Sequence, residues 1–146
     1  MPPGRAPRVR LRVIEMVSAL GTHPDRTRHL AARLGIPAGA ETLLELALTH
    51  PSHRHQSGGG VDNERLEFLG DAVLGAVVGE HLFRTDPHAS EGDLSERRAA
   101  VVSRQALADV ALRLGLDSAM LLGEGESARG GARRPAALAA AFEAVI

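Results

Sequence analysis

The chain has no cysteine, tryptophan, tyrosine or lysine, and only three phenylalanines among its 146 residues. Without cysteine there is neither a disulfide framework nor a thiolate metal site, which suits a reducing compartment. With so few aromatic rings the core must be aliphatic, and recognition of single strands of nucleic acid by base stacking is disfavoured. No apolar run approaches the ~18 residues of a membrane span, so no membrane partner is expected. The basic opening stretch MPPGRAPRVRLRV is followed by no apolar h-region, so a secretory signal is not expected either. All 17 basic residues are arginine, and the formal net charge is −1. That balance lacks the basic footprint of most nucleic-acid binders. Any phosphate contact must therefore come from local arginine clusters, from metal ions or from a separate basic domain.

What the chain does contain is helix-forming sequence long enough for one domain with a moderate core. No sustained period-two alternation flanked by hairpin turns occurs, so the fold class is all-α. Residues 1–24 read as an N-terminal extension, partly disordered because residues 1–7 are rich in Pro and Gly. Within it, residues 9–20 read as a short helix ended by Gly21, serving as a solvated leader or a basic arm. Helices are expected over residues 24–35, 41–49, 62–84, 94–102, 104–114 and 136–146, bounded by Pro, Asp and Gly signals. Residues 49–60, with His50, His53 and His55, have poor spacing for a zinc site and read as a polar loop with one structural histidine. The glycine-rich, charged stretch 123–134 reads as a mobile loop in which Arg129, Arg133 and Arg134 are available to phosphate. It lacks the GK[ST] ending of a P-loop.

The stretch NERLEFLGDAVL, residues 63–74, carries the chemistry. With about 100° of rotation per residue, Glu64, Glu67 and Asp71 fall within about 60° of one another on one side of a helix. Leu66, Leu69, Val73 and Val77 fall at about 140–220° from Glu64, on the side expected to face the core. Glu67 and Asp71 are an i,i+4 like-charge pair with no basic partner one turn away, which is mildly destabilising. Two readings follow: a solvated acidic face, or a hard-cation site whose occupant cancels the repulsion, since Mg²⁺ takes oxygen ligands. Phe68 lies only about 40° from the acids, an unusual place for a large apolar ring. The three glycines Gly70, Gly75 and Gly79 weaken the helix and suggest close backbone approach.

This string closely resembles the signature of the ribonuclease III family, the endonucleases that cut double-stranded RNA. ALTHPS at residues 47–52, EGDLSERRA at 91–99 and the tail from 122 to 146 resemble the same family in the same order. The resemblance covers roughly residues 30–146 and implies the family's helical endonuclease-domain bundle, with residues 25–146 as the nuclease domain. It places a Mg²⁺ centre (Mn²⁺ as an alternative) at Glu67, Asp71 and Glu143, with Asp71 and Glu143 most directly catalytic. Glu64, Glu91 and Arg98 take accessory roles, and Phe68 packs into the partner of a homodimer. His50 falls in an architectural THxS motif. The implied reaction is hydrolysis of double-stranded RNA to 5′-phosphate and 3′-hydroxyl ends in RNA processing, for instance of rRNA precursors, in the cytoplasm.

One position departs from the pattern. The family motif LADxxEA is LAAAFEA here, so Ala140 stands where a ligand Asp is expected, and no carboxylate lies between Glu126 and Glu143 to replace it. The alternative is thus a catalytically impaired relative, serving as an RNA-binding or dimerising scaffold. The chain is expected to be cut within its last metal-binding helix, with the family's double-stranded-RNA-binding domain absent from it.

Overall fold

The computed structural model describes residues 24–146; the expected helix over 9–20 and residues 1–23 of the extension lie outside them. The described chain is helical: α1 Pro24–Leu34, α2 Glu41–Ala47, α3 Pro51–Gln56, α4 Glu64–Thr85, α5 Glu91–Val101, α6 Arg104–Arg113, α7 Glu124–Ala128 and α8 Pro135–Val145, with 3₁₀ turns at Leu116–Ser118 and Gly131–Arg133. A single parallel bridge, Thr49 to Leu121, is the strand-like pairing recorded among these residues. The all-α expectation holds. Among the described residues no helix is long and apolar enough to cross a membrane.

Helix α8 is the central rod. Pro135 fits its first turn because that position needs no N–H partner. Ala137, Leu138, Ala139, Ala141 and Ala144 are all buried, so the helix is covered on most sides. Helix α6 lies against it through Leu107, Ala108 and Ala111. Leu30 and Ala31 of α1, Leu44 and Leu48, and Leu116, Ala119 and Met120 complete the core. Alanine predominates at these contacts, so the backbones approach closely and many small contacts replace the missing aromatics.

Helix α4 has 22 residues, about 33 Å, and Gly70 is its one buried residue. The expected core side is corrected here. Leu69, Val73 and Val77 are 59%, 40% and 56% exposed, and only Leu66 of that set is half-buried. The side that meets α8 includes Gly70, about 240° round from Glu64. A Cβ built on Gly70 would lie 1.7 Å from the Glu143 carbonyl oxygen, so α8 packs where α4 has no side chain at all. Leu69 and Val73 instead line an apolar groove of about 250 Å³ with Leu43, Ile36, Val145 and Ile146.

Three further expectations are revised. Residues 51–56 form a short helix, not a loop: Pro51 opens it and the His50 Nδ1 caps it by accepting the Ser52 N–H. Helix α5 starts at Glu91, three residues before the expected 94, because Ser90 and Asp93 form a reciprocal capping box. The stretch 123–134 folds around Glu126, which pairs with both Arg129 and Arg134, while Arg133 pairs with Asp117. All three arginines read as free for phosphate are therefore already matched to carboxylates.

Candidate active site

The first turn of α4 is pinned from below. Asn63 is buried, its N–H donates to the Thr49 carbonyl at 2.9 Å, and its Nδ2 donates to the Ala47 carbonyl at 3.1 Å. The Asn63 side chain is thus occupied with the end of α2 and does not cap its own helix. Asp62 supplies the missing acceptor, its Oδ1 taking the Glu64 N–H at 3.2 Å. The other oxygen of Asp62 lies 2.7 Å from Arg54 of α3. That contact is close yet not aligned as a hydrogen bond, so its worth is chiefly Coulombic. The THPS stretch closes the same corner: Leu121 N–H donates to the Leu48 carbonyl, His50 N–H to the Leu121 carbonyl, and Gly123 N–H to Ser52 Oγ. His50 accepts from Ser52 in this network, so its part is architectural.

Above this base, Glu64, Glu67 and Asp71 of α4 and Glu143 of α8 line one open depression of about 410 Å³, with Phe68 at its wall. The acids sit at about 300–360° on α4, beside the Gly70 side that meets α8, and this adjacency lets a carboxylate from α8 join them. Burial holds the Glu67 carboxyl above the usual carboxylate range, and Glu64 and Asp71 push it further. Glu143 is raised likewise, first by burial and then by Asp71 and Glu67. Neighbouring carboxylates thus add to burial at both Glu67 and Glu143, as expected of a site that lacks positive charge.

The donors are oxygen alone, two helices contribute them, and both raised carboxyls would be relieved by a cation. In kind, this set fits a hard divalent ion. Among the described residues, however, no three acidic, His or Cys side chains are already gathered closely enough to hold a metal ion. The shared depression makes these groups neighbours, and the raised Glu67 and Glu143 carboxyls agree with that.

The remaining sequence candidates lie elsewhere. Glu91 is exposed and accepts a hydrogen bond from Ser95 at 2.7 Å, and neither it nor Arg98 lines the depression. Arg98 lies against Gly79, and Arg97 pairs with Asp86. Ala140, one turn before Glu143, is partly exposed and contributes no oxygen. Phe68 is 80% exposed, too much for a ring that only packs in this chain's own core. Arg54 was not singled out from sequence, since nothing in the local pattern pairs it with a residue eight positions on.

A helical domain with carboxylates from two helices around one open depression is the class that the fold and site define. The ribonuclease-III-like family matches residues 40–146. The chain is 49% identical over 127 residues to Ribonuclease 3 of Leifsonia xyli subsp. xyli, covering 87% of this chain and 53% of that protein. It is 51% identical over 125 residues to Ribonuclease 3 of Heliobacterium modesticaldum, covering 84% and 53%. The nuclease domain of ribonuclease III from Campylobacter jejuni, whose reported structure concerns flexibility in a region involved in dimer formation, superposes with a TM-score of 0.74 at 42% identity, over 80% of this chain and 78% of that one. The chain belongs to the ribonuclease-III-like family. It spans about half the length of the curated relatives it matches.

Proposed function

We propose that this chain is the nuclease part of an endoribonuclease that hydrolyses double-stranded RNA with a divalent cation, Mg²⁺ or Mn²⁺. The observation that carries this reading is the joining of Glu143 to Glu67 and Asp71 across the α4–α8 contact, with Glu67 and Glu143 both raised by burial and by neighbouring carboxylates. Four carboxylates repel a phosphodiester, so RNA approach requires positive charge in the depression. Glu67, Asp71 and Glu143 would hold the ion, and Glu64 at the rim would steady it. Once bound, such an ion supplies an activated water and neutralises charge on the phosphate and leaving oxygen. Duplex RNA is read by shape, 2′-hydroxyls and phosphates, which asks for no aromatic platform.

The same reading extends to finer features. The products carry 5′-phosphate and 3′-hydroxyl ends, the work belongs to RNA processing in the cytoplasm, and Glu91 and Arg98 act from outside the depression. Residues 25–146 form the nuclease domain, and a double-stranded-RNA-binding domain belongs to the longer protein. Phe68, exposed beside the acids, is a knob for a second copy of the chain in a homodimer.

The departure at position 140 defines the second reading to test. Ala140 leaves the last helix with one carboxylate, and the acids present are not gathered around a point. A scaffold that binds RNA or dimerises without turnover would have this form. Cleavage of a long RNA duplex with Mg²⁺ by the chain and by Ala140→Asp separates the two. If both cut, the four acids suffice. If only Ala140→Asp cuts, one missing ligand has disabled the site, and if neither folded protein cuts, the scaffold reading replaces the enzyme.

A further inference from the structure

We propose that Arg54 is a positioning residue for the acidic centre, acting through Asp62. This inference rests on the reading of that centre as a divalent-cation site. The Asp62 side chain is only 5% exposed, and its close charge contact is the Arg54 guanidinium at 2.7 Å, itself 35% exposed. Its second oxygen holds the Glu64 N–H. Arg54 belongs to α3, yet it fixes the turn from which Glu64 and Glu67 project. Asn63 does not do this with its side chain, whose Nδ2 is turned to the Ala47 carbonyl and which makes no capping bond.

Charge adds a second reason. Asp62 is a fifth carboxylate beside a stripe that already lacks a cation, and it is buried. Left alone, a buried carboxylate is strongly unfavourable, and the structure would relieve it by letting water in or by releasing the turn. Either response moves the Glu64 N–H off its acceptor. Arg54 cancels the Asp62 charge where it arises, so the negative field of the depression stays with the residues that hold the ion. The pair touches neither the depression nor anything bound there, since neither residue lines it.

The test uses Mn²⁺ alone as probe, with its binding to the full chain followed by the loss of the free-ion electron paramagnetic resonance signal. Arg54→Ala leaves Asp62 charged and unmatched, and its Mn²⁺ dissociation constant is expected to rise about tenfold, the lower end of what loss of an outer partner costs a metal site. Arg54→Ala with Asp62→Asn removes both charges but keeps an oxygen for the Glu64 N–H, and it is expected to return to within about twofold of the native value. If Arg54→Ala does not unfold cooperatively, Arg54→Gln takes its place with the same expectations. A single variant that binds as the native chain does overturns the proposal. So does a double variant as weak as the single, because Arg54 would then not act through Asp62. Glu143→Gln is the control: if native binding is insensitive to it, the cation-site reading itself fails and this inference falls with it, a result distinct from either of the others.

Discussion

Gly70→Ala tests the α4–α8 contact on which the site depends. The added Cβ would sit 1.7 Å from the Glu143 carbonyl oxygen and 2.5 Å from its carbonyl carbon. Ordinary contact begins near 3.4 Å, so the two backbones must part by about 1.7 Å along that line. Backbone cannot rotate out of the way as a side chain does, so the cost should reach the upper part of the roughly 1–3 kcal/mol seen for overpacking, or exceed it. Alanine's helix preference returns up to about 1 kcal/mol. The net expectation is a loss of about 2 kcal/mol, or a melting temperature lower by roughly 8 °C for a domain of this size. Gly75→Ala is the internal control, since a Cβ there meets nothing within 4 Å. It should gain about 0.5–1 kcal/mol from propensity alone. Circular-dichroism melts of both variants decide the matter. A Gly70→Ala protein as stable as the native chain, or more so, would refute the close approach of α4 and α8. Where Gly70→Ala remains folded, it should also bind Mn²⁺ more weakly, because Glu143 moves with α8.

Other expectations concern charge and surface. Glu143 is raised in the folded state, so its contribution to stability is full below its unfolded value of 4.5 and is lost as pH rises through the higher folded value. Metal-free Glu143→Gln should therefore be more stable than the native chain at neutral pH and lose that advantage near pH 4, by chemical denaturation in chelator; a disadvantage at neutral pH would contradict the repulsion. His50 has the opposite sense: burial lowers it from 6.5, so its contribution is full above that value and is lost as pH falls through the lower folded one. Acid unfolding below about pH 6.5 should be shallower in His50→Gln than in the native chain, and equal slopes would remove His50 as the cause. Phe68→Ala should shift sedimentation toward monomer while changing monomer stability by no more than about 0.5 kcal/mol, since the ring is 80% exposed. An unchanged sedimentation profile would take Phe68 out of any interface between copies.

Much of the site was legible because a helix converts spacing into direction. Glu64, Glu67 and Asp71 share a side at three- and four-residue intervals, and the structure sets them around one depression. Direction alone does not say which neighbour a side will meet. Leu69 and Val73 were assigned to the core for being apolar, whereas α8 packs where Gly70 offers no side chain. The partner's backbone decided the buried side, and the only trace of that in the sequence is the glycine itself. The histidine-rich stretch hid a helix for a different reason: histidine is an uncommon cap, and its role emerges only when Nδ1 is seen to accept from Ser52. In the glycine-rich stretch, Glu126–Arg129 is a readable i,i+3 pair, but the Glu126–Arg134 and Arg133–Asp117 pairs form only through the fold. The Arg54–Asp62 contact was illegible for the same reason, as it links two elements whose relative placement no local pattern encodes.

The central claim is that Glu67, Asp71 and Glu143 form a cation-dependent site that cuts duplex RNA. It is tested most directly by incubating a long end-labelled RNA duplex with the chain in Mg²⁺, beside Glu143→Gln and a chelator control, and resolving the products by gel. Discrete shorter products are expected from the native chain and an intact duplex in both controls. Contradiction would come from a folded native chain that leaves the duplex whole, or from Glu143→Gln cutting as fast as the native chain.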